Sequence, residues 1–175
     1  MIRKMHVSDR NALVGILRST TIFTSSEVAL AAELIDIHLA NPNQKDYTVV
    51  VVEDESFQVI GFMSFGPAPI TEGVYNLYWI AVHPRARAKG HGRELVAWLM
   101  KNVQDISARM VLVETSSSAQ YKPTREFYRS LGFKEVSRVR DFYRPGDDRI
   151  TYIKHVTKKK MESYGSAAGP IDKQL

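Results

Sequence analysis

Apolar positions in the first 82 residues follow two different periods. Spacings of three and four residues between positions 13 and 39 predict two helices, and Thr24 and Glu27 have the spacing of a capping box that would begin the second. Asn41-Pro42 would end that helix. Segments rich in β-branched and aromatic residues predict strands at residues 1–6, 47–53, 57–65 and 74–82.

Helices and strands alternate in the rest of the chain. Helices are predicted at residues 91–104 and 124–131, and strands at residues 109–114, 133–141 and 149–156. The last two strands would be joined by a turn over residues 144–148. The order β-α-α-β-β-β-α-β-α-β-β predicts a mixed α/β (α+β) layered fold. We expect residues 1–157 to form a single domain and residues 158–175 to be a basic tail, whose composition is typical of disorder.

Composition narrows the class of protein. Of 175 residues, 44% are apolar and 25% are charged, which is usual for a globular domain. The chain has no cysteine, which excludes disulfides and thiol nucleophiles, and no apolar run approaches the ~20 residues of a membrane span. Charged residues interrupt the N-terminus where a signal peptide would be apolar, so we expect a cytoplasmic protein. Of the net charge of +5, residues 158–175 carry +2, and the +3 of residues 1–157 is modest for a dedicated nucleic-acid binder.

A basic segment with two glycines lies between the strand at residues 74–82 and the helix at residues 91–104. It contains the cations Arg85, Arg87, Lys89 and Arg93. Gly90 and Gly92 would let the backbone approach a ligand closely, and a helix N-terminus offers free N–H groups to an anion. The spacing matches neither the P-loop nor the Rossmann glycine motif. These features predict a pyrophosphate site, and the alternative is a solvated basic turn.

Two motifs in this order resemble the GNAT superfamily of acetyltransferases, which use acetyl-coenzyme A. They are Arg87-x-x-Gly90-x-Gly92, preceded by the strand at residues 77–82, and Phe127-Tyr128-x-x-x-Gly132-Phe133. The resemblance covers residues 1–156. It implies a mixed, mostly antiparallel sheet flanked by helices on both faces, with central strands splayed to admit acetyl-CoA.

The same resemblance implies a set of cofactor contacts. Backbone groups of Ile80, Ala81 and Val82 would pair with the pantetheine arm. The pyrophosphate would lie on the N–H groups of Arg87, Ala88, Lys89, Gly90, His91, Gly92 and Arg93. Tyr121 stands where many relatives have an asparagine that contacts pantetheine. Arg125 lies nearby and could contact a cofactor phosphate, and the alternative is that it is a solvated residue of the helix.

Acetyl transfer to an amine needs a proton donor for the departing thiolate and a route for the proton of the ammonium. The resemblance assigns the first role to Tyr128. Relatives often carry Glu or His where this chain has Asn76 and Tyr78, so the usual base is absent and Asn76 could hold a water that relays a proton, with Glu72 as a distant base. Strict strand alternation would place Asn76, Tyr78, Ile80 and Val82 on one face. For Glu114 a structural role ranks above catalysis.

The acceptor cannot be identified from the sequence, but its surroundings can be predicted. Loops that line the acceptor site in this superfamily suggest four residues for contact with a small-molecule or peptide amine: Phe23, Glu27, Asp141 and Tyr143. No His pair lies near carboxylates, so no metal is expected. A non-catalytic acyl-CoA-binding module and, more weakly, a nucleic-acid binder remain alternatives, and a homodimer stays open.

Overall fold

The computed structural model describes residues 1–41 and 43–157. The tail expected at residues 158–175 therefore lies outside the described residues. Within them, the helices are α1 (Arg10–Ser19), α2 (Ser25–Ala40), α3 (His91–Asp105) and α4 (Lys122–Ser130). The strands are β1 (Ile2–Lys4), β2 (Thr48–Glu53), β3 (Val59–Pro67), β4 (Val74–Val82), β5 (Met110–Ser116), β6 (Lys134–Arg144) and β7 (Asp147–His155). The element order and the mixed α/β (α+β) class are as predicted.

The seven strands form one sheet in the order β1-β2-β3-β4-β5-β7-β6. Every neighbouring pair is antiparallel except β4 and β5, which run parallel at the centre. A parallel pair needs a long crossover connection, and α3 lies within the one that joins β4 to β5. The predicted mostly antiparallel sheet is confirmed.

Side chains that alternate along the strands form a separate core on each face of the sheet. On one face, Val50 and Val52 of β2 belong to a cluster with Leu95 and Leu99 of α3 and with Tyr128 of α4. On the other face, β2 and β3 side chains pack with α1 and α2 in a second cluster. Helices therefore cover both faces, as expected. None of the helices in the described part of the chain is long and apolar enough to cross a membrane.

The last hairpin is tighter than predicted. Arg144 pairs with Asp147, so only Pro145 and Gly146 form the turn. Proline followed by a glycine at φ +80° suits the two central positions of a type II turn, which the five-residue prediction overlooked. Asp147 and Asp148 consequently begin β7 instead of belonging to the turn.

Helix α4 begins earlier than predicted. The predicted helix began at Thr124, whereas the observed helix starts at Lys122 with Pro123 in its first turn. Proline is well tolerated there, since the first N–H groups of a helix have no intrahelical acceptor. The earlier start places the beginning of α4 directly after the 3₁₀ turn Ala119–Tyr121.

Candidate active site

Strands β4 and β5 are joined only along their first residues. Residues 74–77 of β4 pair with residues 110–113 of β5. Beyond that point β4 follows β3 as far as Val82, and β5 follows β7 as far as Ser116. The two strands therefore diverge, and the predicted splay is confirmed. We call the opening between residues 78–82 and residues 114–116 the gap. Its two strand edges offer backbone groups to an extended ligand.

A β-bulge lies in β4 where the gap opens. Ser64 of β3 is opposite Trp79, whereas the next residue, Phe65, is opposite Leu77. Tyr78 is therefore the extra residue on β4. Bulges occur often beside active sites, because they change the direction of side chains along a strand.

The bulge corrects the predicted arrangement of side chains on β4. Ile80 and Val82 pack against the core of α3 and α4, whereas Trp79 packs against the core of α1 and α2. Asn76 and Tyr78 remain neighbours, with 3.4 Å between Asn76 Nδ2 and Tyr78 Oη. The expectation that all four predicted residues line one face is wrong beyond Tyr78, since the extra residue reverses the alternation.

Glu72 lies away from the gap. Its carbonyl accepts a hydrogen bond from Arg109 Nε at 2.7 Å, immediately before β5. That is the end at which β4 and β5 are still paired. The structure therefore does not support Glu72 as a distant base for chemistry in the gap.

The basic segment after β4 forms a turn that leads into α3. Gly90 caps the helix with φ +90°, and its carbonyl accepts from the Glu94 amide at 2.9 Å. Among the described residues, none accepts a hydrogen bond from the backbone N–H groups of residues 88–93. These free amides support the anion site that the sequence predicted, since the first N–H groups of a helix have no intrahelical partner.

Cationic side chains surround those amides. Arg85, Arg87 and Lys89 are exposed, and no carboxylate of the described residues forms an ion pair with any of them. Arg93 differs, because its Nη2 donates to Ser130 Oγ at 3.4 Å. Unpaired positive charge at a helix N-terminus strengthens the attraction for a phosphate.

Tyr128 lies on the side of α4 that packs against the sheet. Its ring is 5% exposed and lies 5.6 Å from that of Phe133 and 6.4 Å from that of Tyr152. Burial raises the pKa of the hydroxyl above its ordinary value, so the phenol is protonated at neutral pH. None of the described residues shares a hydrogen bond with this hydroxyl, which leaves it available to a bound molecule.

Two residues predicted to contact the cofactor make strong contacts within the protein. The Tyr121 hydroxyl donates to Glu27 Oε1 at 2.6 Å, and burial followed by this hydrogen bond raises its pKa. Arg125 Nη1 donates to the carbonyls of Ser116 and Ser118 at 2.7 and 2.8 Å. Tyr121 therefore connects to α2, and Arg125 holds α4 to the end of β5.

Two of the four predicted acceptor residues, Phe23 and Glu27, lie toward the α1–α2 face, and Tyr143 lies on β6. Phe23 stacks edge-on against Trp79 with 5.4 Å between ring centroids. Glu27 is half-buried under Tyr121. Burial and then the negative charge of Glu114 raise the pKa of Tyr143, and the charge of Glu27 acts in the same direction. This side of the gap therefore combines aromatic rings with carboxylates.

Asp141, the fourth predicted acceptor residue, stabilises the last hairpin. Its Oδ1 accepts from the Gly146 amide at 2.7 Å, and its own amide donates to Asp148 Oδ1 at 3.1 Å. Asp141 also has a positive φ of +52° in an irregular part of β6. These hydrogen bonds give Asp141 a structural role in the hairpin, and the structure does not support its predicted contact with the acceptor.

Sequence reasoning missed two side chains near the gap. Trp79 follows the bulge, and Arg149 lies 4.1 Å above the Phe142 ring with its Nε 3.5 Å from Glu114 Oε1. The sequence signal for Trp79 was its position directly after Tyr78 on the same strand, because alternation places two adjacent aromatic side chains on opposite faces of the sheet. In residues 1–41 and 43–157, no cluster of three or more His, Asp or Glu side chains could hold a metal ion.

Comparison with known proteins assigns this arrangement to a family. The model of a GNAT acetyltransferase domain matches residues 45–135, which include the gap, the basic turn and Tyr128. A GNAT-family protein from Desulfovibrio desulfuricans is 37% identical, with a TM-score of 0.84 over 90% of this chain and 99% of its own. No curated protein matches the chain.

More distant structures share the fold. The ribosomal-protein-S18-alanine N-acetyltransferase of Escherichia coli is 20% identical, with a TM-score of 0.71 over 94% of this chain and 99% of its own. An aminoglycoside 6′-N-acetyltransferase complexed with coenzyme A is 19% identical, with a TM-score of 0.69 over 91% of this chain and 98% of its own. At these identities the likeness concerns the fold alone. The family model and the 37%-identical relative show that the chain belongs to the GNAT acetyltransferase family.

Proposed function

We propose that this protein transfers an acetyl group from acetyl-coenzyme A to a primary amine. One observation carries the proposal: the free edge of β4 at residues 78–82 leads directly into a basic turn whose amides at residues 88–93 have no protein acceptor. An extended amide-containing arm that ends in a pyrophosphate fits both features in succession. Coenzyme A has this construction, and its acetyl thioester, when bound, would supply the activated acetyl group.

The residues around the gap fit such a ligand. Backbone groups of Ile80, Ala81 and Val82 would pair with the arm, as a neighbouring strand does. Amides of residues 88–93 and the nearby cations would hold the phosphates. A Cβ added to Gly90 would meet no protein atom within 4 Å, so there is room for a phosphate beside the backbone.

Tyr128 is the proposed acid. Its hydroxyl keeps its proton at neutral pH, because burial raises its pKa, and no described side chain or carbonyl accepts that proton. The role we assign to it is donation of this proton to the departing thiolate, as the amine nitrogen forms its bond to the acetyl carbon.

The proposed acceptor is an amine, either of a small molecule or of a peptide. Two structural relatives are named for acetylation of the S18 alanine and of aminoglycosides, which supports this class. The Glu27 carboxylate, which forms no ion pair with a described residue, gives the α1–α2 side of the gap a negative group that would attract an ammonium, whereas the charge of Glu114 is balanced by Arg149. We further propose that Asn76 and Tyr78 hold the water that takes the ammonium proton, since their side chains adjoin at the bulge.

The test is a panel of amines incubated with acetyl-CoA, in which free thiol and the acetylated product are both measured. Replacing Tyr128→Phe removes the proton donor but keeps the ring, so we expect kcat to fall roughly 100-fold with little change in acetyl-CoA affinity. Tyr152→Phe is a matched control, because it removes a hydroxyl from a neighbouring ring whose oxygen approaches Glu135 at 3.4 Å.

Two outcomes would contradict the proposal. Tight binding of acetyl-CoA without transfer to any amine would favour an acyl-CoA-binding module. A kcat that is equal in Tyr128→Phe and the wild type, under conditions in which chemistry limits the rate, would remove Tyr128 from the mechanism.

A further inference from the structure

Arg149 of β7 has a guanidinium that is largely covered and yet donates no hydrogen bond within the described residues. Its side chain is 29% exposed, and its Nε is fully buried. The contact between Nε and Glu114 Oε1, at 3.5 Å, lacks the geometry of a hydrogen bond. The two Nη groups have no acceptor either, but they are not fully buried, so a bound molecule can reach them. These unused donors call for an acceptor.

Other covered arginines of the fold use their donors. Arg3, whose side chain is 25% exposed, donates from Nε and both Nη groups to the carboxylates of Asp9 and Glu53. Arg125 donates to two backbone carbonyls. Arg149 is covered to nearly the same degree as Arg3, so burial alone does not explain why its donors are free.

The orientation of the Arg149 guanidinium is fixed by an aromatic ring. Its central carbon lies 4.1 Å from the centroid of the Phe142 ring, which is a stacking distance for a cation and a π-system. Stacking occupies one face of the planar group and leaves the edge that carries the two Nη groups open. That edge matches the two oxygens of a carboxylate, which it binds with a pair of parallel hydrogen bonds.

Arg149 lies on the face of the sheet where the acceptor is proposed to bind. Val113 of β5 and Ile150 of β7 belong to the core under α3 and α4. Strand alternation therefore places Glu114 and Arg149, the residues next to them, on the opposite face. Glu114 is the first residue of β5 beyond its pairing with β4, so it stands at the edge of the gap. The guanidinium beside it is consequently within reach of a molecule that enters the gap from this face.

Opposite charges from three elements act on one tyrosine at this position. Burial and then the charge of Glu114 raise the pKa of Tyr143, the charge of Arg149 lowers it, and the charge of Glu27 raises it. Tyr143 is 49% exposed, so the region is open to solvent. Glu27 forms no ion pair with a described residue and suits an ammonium, whereas the free edge of Arg149 suits an anion.

We infer that the Nη groups of Arg149 bind a carboxylate of the acceptor, so that the acceptor is an amino acid or another amine that carries a carboxylate. The inference rests on the proposed function and narrows its acceptor. Since Glu114 balances the charge of Arg149, the preference comes from the two hydrogen bonds of the planar guanidinium and not from net charge. Arg149 is thus a specificity-determining residue that takes no part in the chemical step.

The experiment compares acceptors in pairs that differ by one carboxylate. The pairs are L-lysine with 1,5-diaminopentane, L-phenylalanine with 2-phenylethylamine, and 4-aminobutyrate with propylamine. In the pair that is acetylated best, we expect kcat/KM of the carboxylate-bearing member to be roughly 10- to 100-fold higher, mainly through a lower KM, since a hydrogen bond to a charged group has this strength.

Substitutions connect the preference to Arg149. In Arg149→Gln the ratio of kcat/KM within that pair should fall close to one, and in Arg149→Lys as well, because lysine keeps the charge but lacks the planar group. Comparing this ratio between variants cancels the different basicities of the two amines. Arg138→Gln is the control and should keep the ratio, because Arg138 already donates to Glu135 and Asp148.

The failure of this inference can be distinguished from failure of the proposed function. Equal or better acetylation of the amine without a carboxylate by the wild type would overturn the inference alone, and that result needs no variant to fold. So would a preference that persists in Arg149→Gln or that is lost equally in Arg138→Gln. Transfer to no amine at all would overturn the proposed function and, with it, this inference.

Discussion

Gly90 begins helix α3 in a backbone conformation that a β-branched residue adopts only with strain. Its φ is +90°, and an added Cβ would point into open space instead of toward the protein. We expect Gly90→Val to lower the free energy of unfolding by about 1–2 kcal/mol through backbone strain. The variant should also lose most of the rise in Tm that acetyl-CoA produces, because the new side chain occupies the space proposed for the phosphate.

Gly146 offers a matched control for this prediction. It has a φ of +80°, and an added Cβ there would also meet no protein atom within 4 Å, but it lies in the last hairpin. Gly146→Val should be destabilised to a similar degree and still show the full stabilisation by acetyl-CoA. A folded Gly90→Val variant with an unchanged ligand-induced shift in Tm would contradict the pyrophosphate assignment.

At the scale of elements, two hydrogen bonds connect α2 and the segment before it with the 3₁₀ turn that precedes α4. The Tyr121 hydroxyl donates to Glu27 at 2.6 Å, and Gln120 Nε2 donates to the Ile22 carbonyl at 3.2 Å. These contacts join residues that are more than ninety positions apart and belong to opposite sides of the gap. They fix the Glu27 carboxylate near the proposed acceptor site.

Tyr121→Phe should therefore affect the acceptor more than the cofactor. A hydrogen bond to a carboxylate contributes about 1.5–3 kcal/mol, and partial exposure reduces it, so we expect the KM of the amine to rise roughly 3- to 10-fold. The Kd of acetyl-CoA and kcat should change little. Tyr47→Phe is the control, because the hydroxyl that it removes has no partner among the described residues. A weaker Kd for acetyl-CoA with an unchanged KM of the amine would show that Tyr121 contacts the cofactor, as the resemblance implied.

The elements also show what the sequence could reveal. Hydrophobic periodicity and the two motifs predicted the strand order along the chain, the basic turn and the position of Tyr128. The bulge at Tyr78 was invisible, because it depends on the register between β3 and β4 and not on a local preference. The partners of Tyr121 and Arg125 were equally out of reach, since each contact depends on how distant segments meet. Side chains whose roles depend on tertiary contacts were therefore the least predictable.

At the scale of the whole molecule, the sheet separates two tasks. The core under α3 and α4 includes Tyr128 and Ala86 of the basic turn, whereas Phe23 packs against the core under α1 and α2. The gap is the opening that connects the two faces of the sheet, since β4 and β5 are unpaired there. A cofactor from one side and an amine from the other could meet there without any rearrangement of the strands.

A crystal structure of the protein with coenzyme A would show directly whether the gap binds the cofactor. We expect the pantetheine arm between residues 78–82 and residues 114–116, with the pyrophosphate on the amides of residues 88–93. The thiol should lie within hydrogen-bonding reach of the Tyr128 hydroxyl. Coenzyme A bound outside the gap, or a gap closed by pairing of β4 with β5 in the complex, would rule out the gap as the cofactor site.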